Sequence, residues 1–270
     1  MGNHVSSPGS SRRPAGEWNT LSTGGVGMSP EWSAPGHSST RTATDNATWL
    51  TSCRGILLDL DGTLVDSTTA ILRAWRIWAA SVGADTYRLP ELVLGRAAAD
   101  IIQDLLPAVP PQSVPGHVRH VLELQETDST PGTPLPGAAA LGQSLVGSRW
   151  GVVTGCSAEL ARVRLASATV PVPPVLVTDE DVHAGKPHPA GYLLALERLG
   201  LTAADVVVVE DSPVGVQAGK DAGMRVIAVA TTNPPVALSA ADWVVADLAE
   251  LRLTTDDEQR LLTFHTDPIR

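Results

Sequence analysis

Two carboxylates two residues apart, Asp59 and Asp61, directly follow a short apolar run. The run Ile56-Leu57-Leu58 is typical of a buried parallel strand, and Gly62 after the acids allows a sharp turn. Because residues i and i+2 of an extended chain point to the same side, the two acids should lie next to each other. An Asp-x-Asp-Gly turn alone is usually a plain loop. Paired acids are costly unless a cation or a reaction needs them, so a site is predicted only if other parts of the chain contribute to it.

Polar residues also follow three predicted strands that come later in the chain. Thr154 and Gly155 end one strand, Lys186 lies in the loop after the next, and Glu210 and Asp211 end a run of valines. The carboxyl ends of neighbouring parallel strands meet at one edge of a sheet, so we expect these residues to converge. The expected site holds up to four carboxylates, one hydroxyl, free backbone amides and one ammonium group.

The elements that must position these residues alternate between strand and helix. Hydrophobic runs predict strands at 56–58, 150–154, 175–178, 206–210, 225–229 and 243–246. Apolar spacing of three to four predicts intervening helices at 137–146, 157–168, 190–199 and 212–222. This alternation indicates a parallel sheet with helices on both faces. Three further predicted helices between residues 68 and 131 form a small helical insertion after the first strand.

The predicted site suits a hard divalent cation. The Asp59 and Asp211 carboxylates, with the backbone carbonyl oxygen of Asp61, are oxygen ligands of the kind that Mg²⁺ binds together with water and a substrate phosphate. The Thr154 hydroxyl and the Gly155 amide are neutral donors for phosphoryl oxygens. Phosphoryl transfer depends mostly on positioning and charge neutralisation, so this set of groups favours that reaction, with a carboxylate as a possible nucleophile.

Four segments, DLDGT, VVTG, GKPHP and VVVVEDSPVGVQAGKDAG, occur in this order across residues 56 to about 230. Together they resemble the four motifs of the haloacid dehalogenase superfamily. The resemblance implies an α/β fold: a Rossmann-like parallel sheet core in three α/β/α layers, with an inserted small α-helical cap domain. We predict a disordered extension at 1–50, the core at 51–67 and 133–255, the cap at 68–132, and a C-terminal tail at 256–270.

The resemblance also implies a role for each motif residue. Asp59 would be the nucleophile that forms an aspartyl-phosphate. Asp61 would protonate the leaving oxygen and then deprotonate the hydrolytic water.

The remaining motif residues would hold the phosphate and the metal. Thr154 and the Gly155 amide would bind phosphoryl oxygens, and Lys186 would orient Asp59 and the phosphate. Asp211 would bind Mg²⁺ directly, with Glu210 assisting, so the implied metal set is Asp59, Asp61, Glu210 and Asp211.

The superfamily contains several branches, and the sequence favours the phosphatases. Asp61 is typical of the phosphotransferase branch, because the dehalogenases generally lack an acid there. Residues 68–132 contain no lysine for the Schiff base of the phosphonate hydrolases. A β-phosphoglucomutase-like mutase shares all four motifs and remains an alternative, as does a non-catalytic sensor on the same fold.

Two segments, 133–138 and 178–189, resemble phosphatases of sugars and polyols, such as those acting on hexitol phosphates, 2-deoxyglucose 6-phosphate or glycerol 3-phosphate. In the cap, Leu94-Gly95-Arg96 falls where such proteins often contact substrate, so Arg96 is a candidate contact to hydroxyls or phosphate. We therefore predict a Mg²⁺-dependent phosphatase of small phosphorylated sugars or polyols.

The composition of the chain limits the kinds of partner that it could bind. The chain has 270 residues and a formal net charge of −10 without a compact basic block, which argues against nucleic-acid binding. Its apolar runs are far shorter than the roughly 18 residues of a membrane span. Two cysteines, Cys53 and Cys156, make no disulfide or zinc framework and favour a reducing, cytoplasmic setting. We predict a small phosphorylated metabolite as the partner, no nucleic acid, no membrane, and a monomer or weak dimer.

Overall fold

A computed structural model describes residues 48–93, 96–128, 132–256 and 261–266. Its strands, in chain order, are β1 Thr48–Cys53, β2 Gly55–Leu58, β3 Val65–Asp66, β4 Thr133–Pro134, β5 Trp150–Val153, β6 Val175–Val177, β7 Val206–Glu210, β8 Arg225–Val229, β9 Trp243–Val245, β10 Leu251–Asp256 and β11 Leu261–Thr266. Its α-helices are α1 Thr68–Val82, α2 Leu89–Leu92, α3 Ala98–Leu105, α4 Val114–Glu126, α5 Ala138–Ser144, α6 Ala158–Ser167, α7 Ala190–Leu199 and α8 Pro213–Asp221. Short 3₁₀ turns lie at Pro111–Ser113, Asp179–Asp181, Ala203–Asp205, Pro235–Leu238 and Leu248–Glu250.

The main sheet is parallel throughout and has six strands in the order β6-β5-β2-β7-β8-β9. In the centre, Ile56 of β2 lies opposite Trp150 of β5 and Val207 of β7. The chain therefore builds outward from β2 in both directions, which opens a crevice at the carboxyl end of this strand. The predicted α/β fold class is confirmed.

Both faces of the sheet are covered, which explains why its strands are apolar without alternation. Ile56 and Leu58 lie in one cluster of buried side chains, whereas Leu57 between them lies in the other. The four valines of β7 alternate in the same way, and none of them has exposed surface. A carboxylate at the end of such a strand is consequently attached to backbone that is buried on both faces of the sheet.

The helices α1 to α4 lie between β3 and β4, which pair with each other where the chain leaves and re-enters the core. They have a separate cluster of buried side chains that includes Trp75, Trp78, Leu89 and Ile102. Trp75 and Trp78 meet edge to face with ring centroids 5.4 Å apart. These helices are the predicted helical insertion, although the exact domain boundaries stay a prediction.

A second sheet corrects the prediction for both ends of the core. Strands β1, β11 and β10 form an antiparallel sheet in that order. Residues 261–266 were predicted to belong to a tail, which is wrong, because they form the central strand and bury Phe264 completely. Residues 48–50 likewise begin β1 and are not part of an extension. The pairing of Thr51 with Phe264 joins distant parts of the chain, so no local pattern revealed it.

Residues 1–47 of the disordered extension predicted at 1–50 lie outside the described residues. None of the helices in the described ranges has the length and apolar character needed to cross a bilayer.

Candidate active site

The site lies at the carboxyl ends of the central strands, where three neighbours of the sheet terminate in polar residues. Asp59 follows β2, Thr154 follows β5, and Glu210 is the last residue of β7. Since β2 is hydrogen-bonded to both β5 and β7, these ends are adjacent. Asp59 and Thr154 line a cavity of about 230 Å³ together with Asp61, Lys186 and Asp211, whereas Glu210 is completely buried behind Lys186.

Lys186 lies at the centre of the predicted site residues. Its Nζ donates hydrogen bonds to Oδ1 of Asp59, to Oε1 of Glu210 at 2.6 Å and to the backbone oxygen of Val153 at 3.1 Å. Burial would lower the pKa of Lys186, but the Asp59 and Glu210 carboxylates outweigh it and raise the pKa well above its usual value. The lysine is therefore a permanent cation beside Asp59.

Glu210 is a completely buried carboxylate with every hydrogen-bonding position in use. Oε1 accepts from Lys186 and from the Tyr192 hydroxyl at 2.9 Å. Oε2 accepts from the backbone amide of Asp211 at 3.0 Å and from the amide and hydroxyl of Ser212 at 3.3 and 3.1 Å. Such a carboxylate is well suited to orient Lys186 and the start of the next helix.

The helix after Glu210 begins by a local sequence signal and leaves room for the acid. Ser212 caps α8 by accepting from the Gly215 amide at 3.1 Å, and Pro213 occupies the first helical position. A Cβ on Gly215 would lie 1.9 Å from the Glu210 carboxylate. Only glycine therefore lets the helix approach the buried acid this closely.

Asp211 is held by residues from two different segments, the loop after β2 and the loop after β8. Its carboxylate accepts from the Thr63 hydroxyl at 3.4 Å and from the Thr232 hydroxyl, while its backbone oxygen accepts from Asn233 at 3.1 Å. Gly62 turns the chain beside it at a φ of +90°, and a Cβ there would clash with the Asp211 carboxylate. The Asp-x-Asp-Gly turn and Asp211 are thus packed against each other.

Two acids of the site have strongly raised pKa values. Burial, countered by Lys186 and reinforced by Glu210, raises the pKa of Asp59 to about 7. Burial and the neighbouring charges of Asp59 and Glu210 raise the pKa of Asp211 well above its usual value. The cause is the same for both, because acids have been brought together away from water with too few cations.

The donor set fits a divalent metal. Oxygen atoms of Asp59, Glu210 and Asp211 lie within 4.8 Å of one another. The charged side chains described in this site, when ionised, leave an excess of two negative charges. The four acids are Asp59, Asp61, Glu210 and Asp211, and the two cations are Arg164 and Lys186. Mg²⁺ binds carboxylate oxygens, and its two positive charges would balance this excess. Because Glu210 already accepts five hydrogen bonds, Asp59 and Asp211 are the better direct ligands. The part predicted for the Asp61 carbonyl stays a prediction.

Asp61 has a partner that sequence reasoning missed. Its Oδ2 accepts a 2.5 Å hydrogen bond from Arg164 of α6, a residue that is 4% exposed, whereas its Oδ1 is buried without a partner among the described residues. Arg164 lies in the buried stripe of α6 with Ala161 and Leu165. A charged residue in such a stripe was the signal that could have identified it. Sequence reasoning also missed Tyr192. It lies in the buried stripe of α7, where a polar group among apolar side chains was the corresponding signal.

The predicted phosphate-binding loop lies beside Asp59. Thr154 is buried, and its hydroxyl contacts Sγ of Cys156 at 3.3 Å. Gly155 is exposed at the cavity, with open space where a Cβ would be. Burial, with the charge of Asp61, raises the pKa of Cys156 to about 12, so this cysteine is a neutral thiol and no nucleophile. Ser157 then caps α6 by accepting from the Leu160 amide.

Arg96 of the inserted helices lines the same cavity and pairs with Asp104 at 2.7 Å. A second cavity, of about 590 Å³, shares Arg96, Thr154 and Lys186 with the first. The other two residues of the predicted cap loop, Leu94 and Gly95, lie outside the described residues. The predicted site residues thus all line the first cavity except Glu210, which is bonded to Lys186 and has no exposed surface.

Comparison with known proteins agrees with this geometry. A sequence model of the haloacid dehalogenase-like hydrolases matches residues 53–223, which is more than half of the chain. The chain belongs to this family. The predicted enzyme class, a phosphoric monoester hydrolase of the haloacid dehalogenase type, is confirmed.

Three similar proteins illustrate the range of the family. Hexitol phosphatase A of Escherichia coli (strain K12) is 37% identical over 204 residues, which are 75% of this chain and 94% of the relative. The validoxylamine A 7'-phosphate phosphatase of Streptomyces hygroscopicus subsp. limoneus is 32% identical, over 73% of this chain and 94% of its own length. The crystal structure of a β-phosphoglucomutase from Clostridium difficile has a TM-score of 0.60 at 20% identity, over 74% of this chain and 93% of that chain. The last likeness concerns the fold alone.

Proposed function

We propose that this haloacid dehalogenase-like hydrolase is a Mg²⁺-dependent phosphatase that hydrolyses small phosphorylated sugars or polyols through Asp59. The observation that carries the proposal is the contact between Lys186 and Asp59 beside the carboxylates of Glu210 and Asp211. It joins a potential nucleophile, a permanent cation and a set of oxygen ligands at one rigid strand end. The excess negative charge supports a divalent metal as the missing partner.

In the first step an Asp59 oxygen forms a bond to phosphorus, and the bond from phosphorus to the leaving oxygen breaks. The leaving oxygen keeps the electron pair and takes the proton of Asp61. In the second step a water oxygen attacks the phosphorus of the aspartyl-phosphate, and Asp61 takes the water proton. The Asp59 carboxylate is released with inorganic phosphate, and Asp61 is protonated again.

The remaining residues neutralise the charge of the phosphoryl group and keep the reacting groups aligned during both steps. Lys186 neutralises the phosphoryl oxygens and keeps Asp59 aligned, while Thr154 and the Gly155 amide donate hydrogen bonds to these oxygens. Asp59 and Asp211, with the Asp61 carbonyl, would hold Mg²⁺, which supplies further charge neutralisation when bound. The inserted helices exclude bulk water from the first step.

The relatives and the cavities support a sugar or polyol as the leaving group. The two relatives at 37% and 32% identity are phosphatases of a hexitol phosphate and of validoxylamine A 7'-phosphate. The two cavities of about 230 and 590 Å³, which share lining residues, provide room for such a group beside the phosphate.

The mutase alternative requires a second phosphate site. Among the described residues of the inserted helices, Arg96 is the only cation that lines either cavity, and it is paired with Asp104. A substrate with two phosphates would need more positive charge than this on the cap side. We therefore favour hydrolysis over transfer to a second hydroxyl.

The test is turnover of a panel of phosphorylated sugars and polyols by the purified protein, with Mg²⁺ or with EDTA. We expect release of inorganic phosphate only with the metal, and its loss in Asp59→Asn with the fold retained. Asp85→Asn is the matched control, since this acid is exposed in the inserted segment and bonds only to the nearby Tyr87 amide among the contacts described. An isomerised sugar phosphate as product would support the mutase instead. No turnover of any ester would favour the non-catalytic alternative.

A cytoplasmic location and a monomeric or weakly dimeric state complete the proposal. Sedimentation of the purified protein over a range of concentrations would test the second point. A tight dimer at all concentrations would contradict it.

A further inference from the structure

Arg164 is a buried cation that lies behind the candidate site. It belongs to α6, whose start is set by the loop after β5, and only 4% of it is exposed. It is not among the described residues that line either cavity, so it does not reach the substrate. Its one described side-chain partner is Oδ2 of Asp61, at 2.5 Å.

The two oxygens of Asp61 are therefore unequal. Oδ2 is anchored by the guanidinium group, whereas Oδ1 is buried and has no donor among the described residues. Asp61 itself lines the cavity beside Asp59 and its side chain is 20% exposed, so the anchored carboxyl group lies at the edge of the substrate space. A short charge-assisted bond to one oxygen restricts the rotation of the whole carboxyl group.

We propose that Arg164 is a positioning residue that anchors Oδ2 of Asp61 and so fixes the orientation of its carboxyl group toward the leaving oxygen of the substrate. This inference rests on the proposed function, because it assumes that Asp61 transfers the proton. The proton moves from the Asp61 carboxyl group to the leaving oxygen as the bond to phosphorus breaks, and Arg164 exchanges no proton itself.

A purely structural role for Arg164 makes a different prediction. If the residue only balances a buried charge or fills space, its loss slows the enzyme equally with every ester. If it positions Asp61, its loss matters most for an alkyl leaving group, which needs a proton, and least for 4-nitrophenolate, which leaves without one. The ratio of the two activities therefore separates the roles.

The experiment compares kcat/KM for 4-nitrophenyl phosphate and for the polyol phosphate that the wild type hydrolyses best, in the presence of Mg²⁺. The parameter kcat/KM reports the steps up to departure of the leaving group, where the proton is donated. We expect Arg164→Met to lower the value for the polyol ester about 30-fold or more, and that for the aryl ester less than about 3-fold, since a positioned acid contributes roughly 10²- to 10⁴-fold.

Arg162→Met is the matched control, because Arg162 lies on the same helix and is exposed. It should leave both values unchanged. Should Arg164→Met not fold, as judged by circular dichroism, Arg164→Lys keeps the buried charge with a shorter reach and should shift the ratio in the same direction. An unchanged ratio in a folded Arg164 variant overturns the inference while the proposed function stands. A wild type that hydrolyses neither ester overturns the proposed function itself.

Discussion

The Nζ atom of Lys186 donates a 2.6 Å hydrogen bond to Oε1 of Glu210, a carboxylate with no exposed surface. The lysine reaches Asp59 from the same position. The orientation of Lys186 is therefore set by the buried carboxylate of Glu210, which itself accepts five hydrogen bonds. It is not set by the exposed surface of the cavity. A charge so deeply buried is tolerated only while its partner is present.

Replacement of Lys186 by methionine should abolish turnover and destabilise the metal-free protein. Glu210 and Asp59 would lose their shared cation, and an unpaired buried carboxylate costs about 3 kcal/mol of unfolding free energy. Urea unfolding in EDTA, with phosphate release measured separately, checks both effects.

The chain offers an unusually direct control, because Lys220 is its only other lysine. Lys220 pairs with Asp242 at 2.8 Å on the surface, where an ion pair contributes at most about 1 kcal/mol. Lys220→Met should therefore leave turnover intact. Equal effects of the two substitutions would contradict the assigned role of Lys186.

A methyl group on Gly215 should displace Glu210. The added Cβ would lie 1.9 Å from the carboxylate, so Gly215→Ala is expected to cost about 2 kcal/mol or more and to reduce turnover through Lys186. Gly116→Ala is the matched helical control, because nothing lies within 4 Å of its added Cβ. It should stabilise α4 by up to about 1 kcal/mol, since alanine favours the helix. Thermal unfolding of both variants measures the difference, and a neutral Gly215→Ala would count against the packing described.

Removal of the Tyr192 hydroxyl should weaken the support of Lys186 without touching the cavity contacts of the phosphate. Glu210 would lose one of the two donors to Oε1, and a hydrogen bond to a charged group contributes about 1.5 kcal/mol or more. We expect Tyr192→Phe to lower kcat several-fold with little change in KM. The only other tyrosine, Tyr87, is 87% exposed, so Tyr87→Phe should change neither parameter. A raised KM with unchanged kcat in Tyr192→Phe would place the residue in substrate binding instead.

Stability of the metal-free protein should fall as the pH rises. The pKa of Asp59 is about 7 in the folded chain against 3.8 for a free side chain, so the folded state binds a proton more readily than the unfolded state. The contribution of this group is complete below its unfolded pKa and is lost as the pH rises through about 7, and Asp211 acts in the same direction. Melting temperatures in EDTA from about pH 5 to about pH 8 should decrease, and less steeply in Asp59→Asn.

The same protons compete with the metal. Mg²⁺ binds ionised carboxylates, so its affinity should increase with pH over this interval. Calorimetric titration should detect proton release on binding. An affinity independent of pH would mean that Asp59 and Asp211 are already ionised without the metal.

Local sequence was sufficient to predict the strand ends and what they carry. Apolar runs located β2, β5 and β7, and a parallel sheet brings their carboxyl ends to one edge, so Asp59, Thr154 and Glu210 could be expected to meet. The reason is that strand length, period and direction are encoded within short segments.

Only the tertiary structure decided which groups pair at that edge. Arg164 and Tyr192, which bond to Asp61 and Glu210, lie on buried faces of their helices. The strand at 261–266 pairs with the distant strand β1 around residue 51. No short segment carries this information, because contacts between distant residues depend on how whole layers pack. The sequence by itself therefore determined the kinds of groups at the site. Packing determined which side chain holds each carboxylate and to which of its oxygens the hydrogen bond is made.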